Sequence, residues 1–444
     1  MNTNKPRMIA ACLSIGAASL AFAQASVNLS GATLTQDTVT RIVEVSYTLT
    51  GNTPVYVTLG IETNGVAIPV PVSVWGDVST LGRPAVIAPG ETAKKIYWQA
   101  KKDWPSNLTT QARAVVTAWF TNDPPASIAP YVVVDLSGGP TATNYPVRYS
   151  ITAPALLDDT CKTTELWLRR IPAGSYTMGS PTNELGREVD QFETQHTVTL
   201  TKDFYIGVFE TTQQQWYQVM GANPSFYTNV TYWATRPVEQ VSWCKIRENA
   251  NGSTLRANAL TWPASDSVGE GSFMYALRQR TGLKFDLPTE AQWEYACRAG
   301  TTGAWNNGTT IVSTNTYSDA NMTLLGRYRG NVLGDGQSTD RNCVTNLSTT
   351  LVGSFLPNAW GLYDMHGNVL EYCLDRISST SRTSDLGALP VTDPRGVADV
   401  TSYRVFRGGG CASVASSCRS SYRLGISYNN QTHPRFGFRI AIQP

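Results

Sequence analysis

The sequence predicts an all-β sandwich followed by an α+β domain rich in loops, and three observations carry that prediction. Apolar and polar residues alternate through positions 26–125, with no helix signal among them. Two amphipathic helices with matched start and stop signals follow only in the second half of the chain. The 444 residues include 36 Gly and 24 Pro but only 15% charged residues, a texture of turns and loops. A chain of this length has room for roughly two or three domains with real cores.

At the N-terminus, Lys5 and Arg7 precede an apolar run from Met8 to Phe22, and Ala21-Phe22-Ala23 has the small-x-small form of a cleavage site. This predicts a secretory leader over residues 1–23 and an exported protein, periplasmic or extracellular. The run is short for a bilayer span, and no other stretch approaches one, so no transmembrane anchor is expected. Cys12 precedes most of the apolar run, which argues against lipoprotein attachment. Basic and acidic residues nearly balance, 35 against 33. The only basic pairs of note are Lys94-Lys95 and Lys101-Lys102, which excludes nucleic acid as a partner.

In the sandwich region the alternation runs through Val43, Val45, Tyr47 and Leu49, then Val55, Val57, Leu59 and Ile61, and later Ala114, Val116, Ala118 and Phe120. Gly51-Asn52 and Pro89-Gly90 separate the runs. Their spacing suits an immunoglobulin- or fibronectin-like β-sandwich over residues 26–125. A Pro/Gly/Ser/Thr-rich stretch, 126–159, reads as a linker with one candidate strand, Tyr131 to Val134. Such a domain on an exported protein more often spaces or adheres than catalyses.

The second domain is expected over 160–444. Its first helix starts at the capping box Thr212-x-x-Gln215, carries Trp216, Val219 and Met220 on one face and ends at Gly221. A second starts at Thr289-x-x-Gln292, carries Trp293, Ala296 and Cys297 and stops at Gly300. Seven cysteines follow the leader: Cys161, Cys244, Cys297, Cys343, Cys373, Cys411 and Cys418. In an oxidising compartment most should pair, leaving at least one over. Only His196, His366 and His433 exist, with no ligand spacing, so a histidine-based zinc or iron site is excluded.

The stretch GLYDMHGNVLEY, 361–372, places Glu371 between Leu370 and Tyr372 just after a Gly-Asn turn. Turn carbonyls with a nearby carboxylate make an oxygen cage suited to Ca²⁺. Hydrogen bonds from loop amides to the carboxylate account for it equally well on sequence alone.

IPAGSYTMGS, DFYIGVFETTQQQWYQVMGANPS, RPVEQVSW, LRQRTGLKFDLPTEAQWEYACRAG, VGSFLPNAWGLYDMHGNVLEY, RVFRGGG and RFGFRIA occur in one order from Ile171 to Ala441. The series closely resembles the formylglycine-generating enzyme / sulfatase-modifying-factor family over nearly all of the second domain. The resemblance implies a compact, loop-rich fold related to C-type lectins. It implies a structural Ca²⁺ on the carbonyls of Gly367 and Val369 with Glu371, Asn368 helping to hold the turn. A second calcium site would lie near 321–340.

The resemblance also implies a copper site. In the family's oxidases two thiols follow an RGGS motif, bind Cu(I), activate O₂ and convert a sulfatase cysteine to formylglycine. Soft thiolates are the donors that select Cu(I). The thiols are expected five and ten residues after the motif's first glycine, here Ser413 and Cys418. Cys411 comes two residues early, and Gly410 replaces the motif's serine. A Cys411–Cys418 loop disulfide competes with the copper reading. Tyr372, Arg407, Arg423 and Arg439 fall in segments that line the family's cleft. Two functions therefore stay open: a copper-dependent oxidase acting on a sulfatase-like protein or peptide, and a calcium-stabilised, non-catalytic protein that binds an extracellular ligand.

Overall fold

The structure is a computed structural model and describes residues 9–10, 27–37, 39–107, 109, 111–187, 193–228, 231–248, 262–263, 265–312, 318–331, 348–377, 389–397, 403–426 and 430–443. It divides into two units, 1–130 with 149–152, and 131–148 with 153–444.

In the first unit the strands are β1 (Ile9–Ala10), β2 (Val27–Gln36), β3 (Val43–Gly51), β4 (Val55–Thr63), β5 (Val66–Ala67), β6 (Val74–Gly76), β7 (Val86–Ile87), β8 (Lys94–Trp98) and β9 (Ala112–Phe120). One sheet has the order β1-β2-β3-β8-β6. In the other, β4 pairs with β5, β7 and, along its whole length, β9. The alternation decides which side chains face inward. Val43, Val45, Tyr47 and Leu49, then Val55, Val57, Leu59 and Ile61, then Ala114 and Val116 are all buried in one core with Ile96 and Trp98. A one-residue slip would turn each set to solvent, so burial fixes the register. A single helical turn, α1 (Ala100–Asp103), escaped the sequence reading. Asp103 holds it in place, accepting the N–H groups of Val72 and Ser73 and the Trp98 indole.

The expected linker is largely part of the second unit. β10 (Tyr131–Asp135) pairs residue for residue with β12 (Glu165–Ile171), and Tyr131 to Val134 are buried. A short apolar run between turns is how a fully buried strand reads, so the candidate strand Tyr131 to Val134 formed, in a sheet instead of a linker. The sheet order is β11 (Val147–Ser150), β10, β12, β15 (Phe204–Gly207), β22 (Ala441–Ile442), β16 (Phe285–Asp286). Strand β22, far along the chain, thus lies between two others.

A second sheet, β13 (Gly174–Met178), β14 (His196–Leu200) and β18 (Val391–Thr392), and a third, ordered β20 (Leu424–Ile426), β19 (Tyr403–Arg407), β17 (Leu370–Ile377), β21 (Phe436–Gly437), complete the strand framework.

A short turn, α2 (Thr160–Thr163), precedes β12. Helix α3 (Gln213–Met220) has the expected box: Thr212 Oγ1 accepts from Gln215 N, and Gln215 Oε1 accepts from Thr212 N. It stops at Gly221 with φ 77°. Helix α4 (Phe273–Thr281), capped by Ser272, was not anticipated. Helix α5 (Glu290–Arg298) repeats the box at Thr289 and Gln292 but turns left-handed at Ala299, one residue before the expected stop. All of α5 is buried.

One packing feature links distant segments. Arg395, Trp262, Arg247, Trp243 and Arg404 form an alternating ladder, with guanidinium-to-ring distances of 4.0, 5.9, 5.3 and 3.4 Å along it. Guanidinium planes suit such stacking because they carry charge with weak hydration.

Candidate functional site

Glu371, the second residue of β17, has no exposure to solvent. Its two oxygens receive Arg439 Nε and Nη2, each at 2.7 Å, and Oε2 also takes the Trp293 indole N–H at 2.7 Å. The acid tolerates its apolar neighbours because a buried guanidinium neutralises it. Gly367 has φ 96°, and a Cβ there would lie 2.2 Å from the Arg327 carbonyl oxygen, so glycine is required. Asn368 is also left-handed, φ 61°.

Glu210 clamps this turn from beyond β15. Its Oε2 accepts from Asn368 Nδ2 at 2.6 Å and its Oε1 from Val369 N at 3.0 Å. The sequence reading missed Glu210, although it sits in VFETT as an acid beside Phe209, much as Glu371 sits beside Leu370.

Three acids, Glu210, Asp364 and Glu371, gather here around Arg439. Burial, then the charges of Asp364 and Glu371, raise Glu210 well above the carboxylate range. Burial raises Asp364 as well, against the hydrogen bond from Gly353. Asp364 Oδ2 takes the Gly353 N–H at 2.6 Å, while its Oδ1 is buried without a hydrogen-bond partner. Surplus buried negative charge beside an orphaned oxygen fits a hard cation. Among the described residues, no group of three or more His, Cys, Asp or Glu stands ready to hold a metal. Of the expected ligands, Glu371 is already engaged by Arg439 and Trp293. The open acceptor is Asp364 Oδ1, which the sequence reading did not name. Much of the second expected calcium segment, 332–340, lies outside the described residues, as does Cys343.

The glycine motif follows β19. Arg407 Nε lies 3.1 Å from Glu290, and Nη2 binds Glu294. Gly409, φ 72°, could not carry a Cβ: it would lie 2.5 Å from Cys418 Sγ. Cys411 N donates to Asn368 O at 2.8 Å, bolting this loop to the Gly-Asn turn. Ser413, at the expected thiol position, is structural: its Oγ accepts from Gly410 N at 3.0 Å and its carbonyl from Arg329 N at 2.9 Å.

Cys411 and Cys418 are both fully buried thiols, and no disulfide joins the described cysteines. The expected loop disulfide is therefore not the state of this structure. Other bonds close the loop. Burial, with the Cys411 charge adding to it, pushes the Cys418 thiol far up.

His366 is the staple beneath them. Its Nδ1 lies 2.7 Å from Cys418 O, which can only accept, so Nδ1 carries the hydrogen. Its Nε2 accepts Asn306 N–H at 3.0 Å. Burial lowers its pKa to about 4, keeping the ring neutral. Nearby Cys297, 3.8 Å from Nε2, is pushed up to about 12 by burial and is no nucleophile.

The four expected cleft residues separate. Tyr372 is core, its ring centroid 4.0 Å from that of Phe406 and its hydroxyl on Gln431 O. Arg439 is committed to Glu371. Arg407 and Arg423 do come together, both on Glu290, and line a small depression with Glu294 and His196. Next to Cys418, Arg419 is held by Glu184 and Glu193 at 2.6 and 2.7 Å. The arrangement is a rigid, ion-paired scaffold whose thiols face its interior.

Residues 155–444 match the model of the sulfatase-modifying factor enzyme 1-like domain. The chaperone protein LppX of Paenibacillus barcinonensis is 28% identical over 257 residues, 55% of this chain and 81% of that one. The formylglycine-generating enzyme of Streptomyces coelicolor is 34% identical over 163 residues, 35% of this chain and 46% of the enzyme. This chain thus spans about half the length of that enzyme. Among solved structures, Treponema denticola variable protein 1 aligns at 27% identity with TM-score 0.44, over 63% of this chain and 96% of that one. With the family model covering most of the chain and its motifs arranged around one buried ion-pair framework, this protein belongs to the sulfatase-modifying factor enzyme 1-like family.

Proposed function

We propose that this is an exported binding protein for an extracellular ligand, whose second domain keeps the family scaffold as a calcium-stabilised platform and has lost the oxidation. One observation carries the reading: Cys411 and Cys418 are fully buried, and the hydroxyl of Ser413 replaces a thiol where the family's oxidases carry one. A substrate cysteine must touch the copper-bearing thiols, and buried thiols do not meet it. The N-terminal run ending at Ala23 supports export. The Glu210–Asp364–Glu371 surplus, with the unpartnered Asp364 Oδ1, supports calcium beside the Gly367 and Val369 carbonyls. The Paenibacillus barcinonensis relative, matched over 81% of its length, is named a chaperone protein.

A second reading is favoured by the proximity of the same two thiols, since paired soft donors suit Cu(I). Copper would supply O₂ activation, and a sulfatase-type protein or peptide would be the substrate. The test incubates purified protein with Cu(I), O₂ and a Cys-x-Pro-x-Arg peptide, then weighs the peptide. The binding reading expects no loss of sulfur. Copper-dependent conversion that disappears in Cys418→Ser would establish the oxidase instead.

A further inference from the structure

The depression beside Arg407 and Arg423 is also lined by Met178 and His196. These two are a cross-strand pair: Met178 ends β13 directly opposite His196, which opens β14. Side chains so placed share one face of the sheet, with Cβ atoms about 5 Å apart. Burial alternates along β14, and His196 belongs to the inward set with Val198 and Leu200. Met178 is the buried end of β13.

His196 is only 6% exposed. Its Nδ1 lies 2.9 Å from Thr194 O, which can only accept, so Nδ1 carries the hydrogen and Nε2 keeps its lone pair. Among the described residues, nothing donates to that Nε2. A buried acceptor left bare is costly. An imidazole whose one nitrogen is anchored on a carbonyl while the other is open is how metal-binding histidines are held. The end of β13 is anchored as well. Ser180 N donates to Glu193 O at 2.9 Å, and a Cβ on Gly179, φ 91°, would lie 2.6 Å from that same oxygen.

We infer that His196 Nε2 and the Met178 thioether hold a Cu(I) ion. Donor chemistry selects the occupant. Thioether sulfur is a soft donor that selects Cu(I), and imidazole suits copper. Calcium or magnesium would need several oxygens. The Glu294 carboxylate offers none, being taken by Gly179 N, Arg298 and Arg407. Zinc demands a fuller set of protein ligands than this pair. An anion finds neither a donor on Nε2 nor surplus charge, because Arg298, Arg407, Arg419 and Arg423 are ion-paired with Glu184, Glu193, Glu290 and Glu294. A single positive charge is also opposed less by those guanidiniums than a double one. Neither donor is a thiol, so the site stands whichever reading of Cys411 and Cys418 holds.

The test loads full-length Cys411→Ser/Cys418→Ser protein with Cu(I) under argon, in competition with a colorimetric Cu(I) chelator. His196→Gln and Met178→Leu, each added to that background, should lower the copper retained by one equivalent per chain. Met178→Leu conserves side-chain volume, and melting curves report whether each variant folds. A second measurement uses the wild-type protein labelled with ¹³C-methyl methionine. The ε-methyl resonance missing from the Met178→Leu spectrum should shift when Cu(I) is added and stay in place with Zn²⁺. Copper retention unchanged in the folded variants, a Met178 methyl that does not move with Cu(I), or an equal shift with Zn²⁺ would each overturn the inference, the first two leaving the depression to water.

Discussion

Glu371 and Arg439 stand 68 residues apart in sequence and meet as a fully buried bidentate pair, with both N–O distances at 2.7 Å. Arg439 also donates to the carbonyls of Gly207 and Tyr363, so one guanidinium joins β15, β17 and the turn before β17. Breaking such a pair strands a charge. Arg439→Met should cost about 3–5 kcal/mol of the second domain's stability. The double variant with Glu371→Leu should recover part of it. Urea unfolding of the four members of this cycle checks both, and additive losses would contradict the coupling.

Calcium is tested through Asp364. The folded domain holds Glu210 and Asp364 above their unfolded pKa values. Without a cation, their contribution favours the acid end and is lost as pH rises through the folded values. A bound cation offsets that loss. Chelator should therefore lower the melting temperature at pH 7, and less so at pH 5, where the acids hold protons themselves. Asp364→Asn should blunt the response. A melting temperature indifferent to chelator would refute the calcium reading.

Glu239 makes a separate pH prediction. It is fully buried, its Oε1 accepts from Phe226 N and Tyr227 N at 2.8 and 2.9 Å, and its Oε2 has no hydrogen-bond partner. Burial pushes it up to about 8, against the two amide bonds. The folded pKa lies above the unfolded one, so the stabilising protonated form is complete below the ordinary carboxylate range and disappears as pH rises through 8. Relative to wild type, Glu239→Gln should flatten the fall in stability between about pH 5 and pH 8. Parallel pH profiles for the two proteins would show that Glu239 does not titrate in this window.

Thiol accessibility is read with a chromogenic disulfide reagent. In the native protein Cys411 and Cys418 should react slowly, since burial withholds both sulfurs and keeps the Cys418 thiol protonated. In denaturant they should react at once. Rapid native labelling of Cys418 would reopen the oxidase reading.

Domain limits are read by proteolysis. Cleavage is expected near 122–126 and not within Tyr131–Asp135, which is buried in a sheet. A chain beginning at residue 160 lacks β10 and should unfold far more readily than one beginning at residue 126.

What the sequence announced was what short-range rules govern. The capping boxes at Thr212 and Thr289 each need only four consecutive residues, and both formed. The inward set of β3 and β4 needs only alternation. The partners of Glu371, Glu290 and Cys418 were not legible, because Arg439, Arg407 and His366 arrive from 52 to 117 residues away through tertiary closure. At 126–159 the candidate strand Tyr131 to Val134 was legible, but the Pro/Gly-rich texture around it gave no sign of its sheet partner β12. This structure carries Cys411 and Cys418 as thiols, while compartment and spacing say only that two thiols can pair.

The position of β22 has a consequence in time. Ala441–Ile442 pairs with Tyr205–Ile206 on one side and Phe285–Asp286 on the other, so the central sheet stays split until residues 441–442 have left the ribosome. Domains otherwise tend to fold as they are synthesised, N-terminal part first. Here the first unit can settle early while the second waits for residues 441–442. A truncation after residue 440 would remove that strand and leave β15 and β16 with nothing to join them.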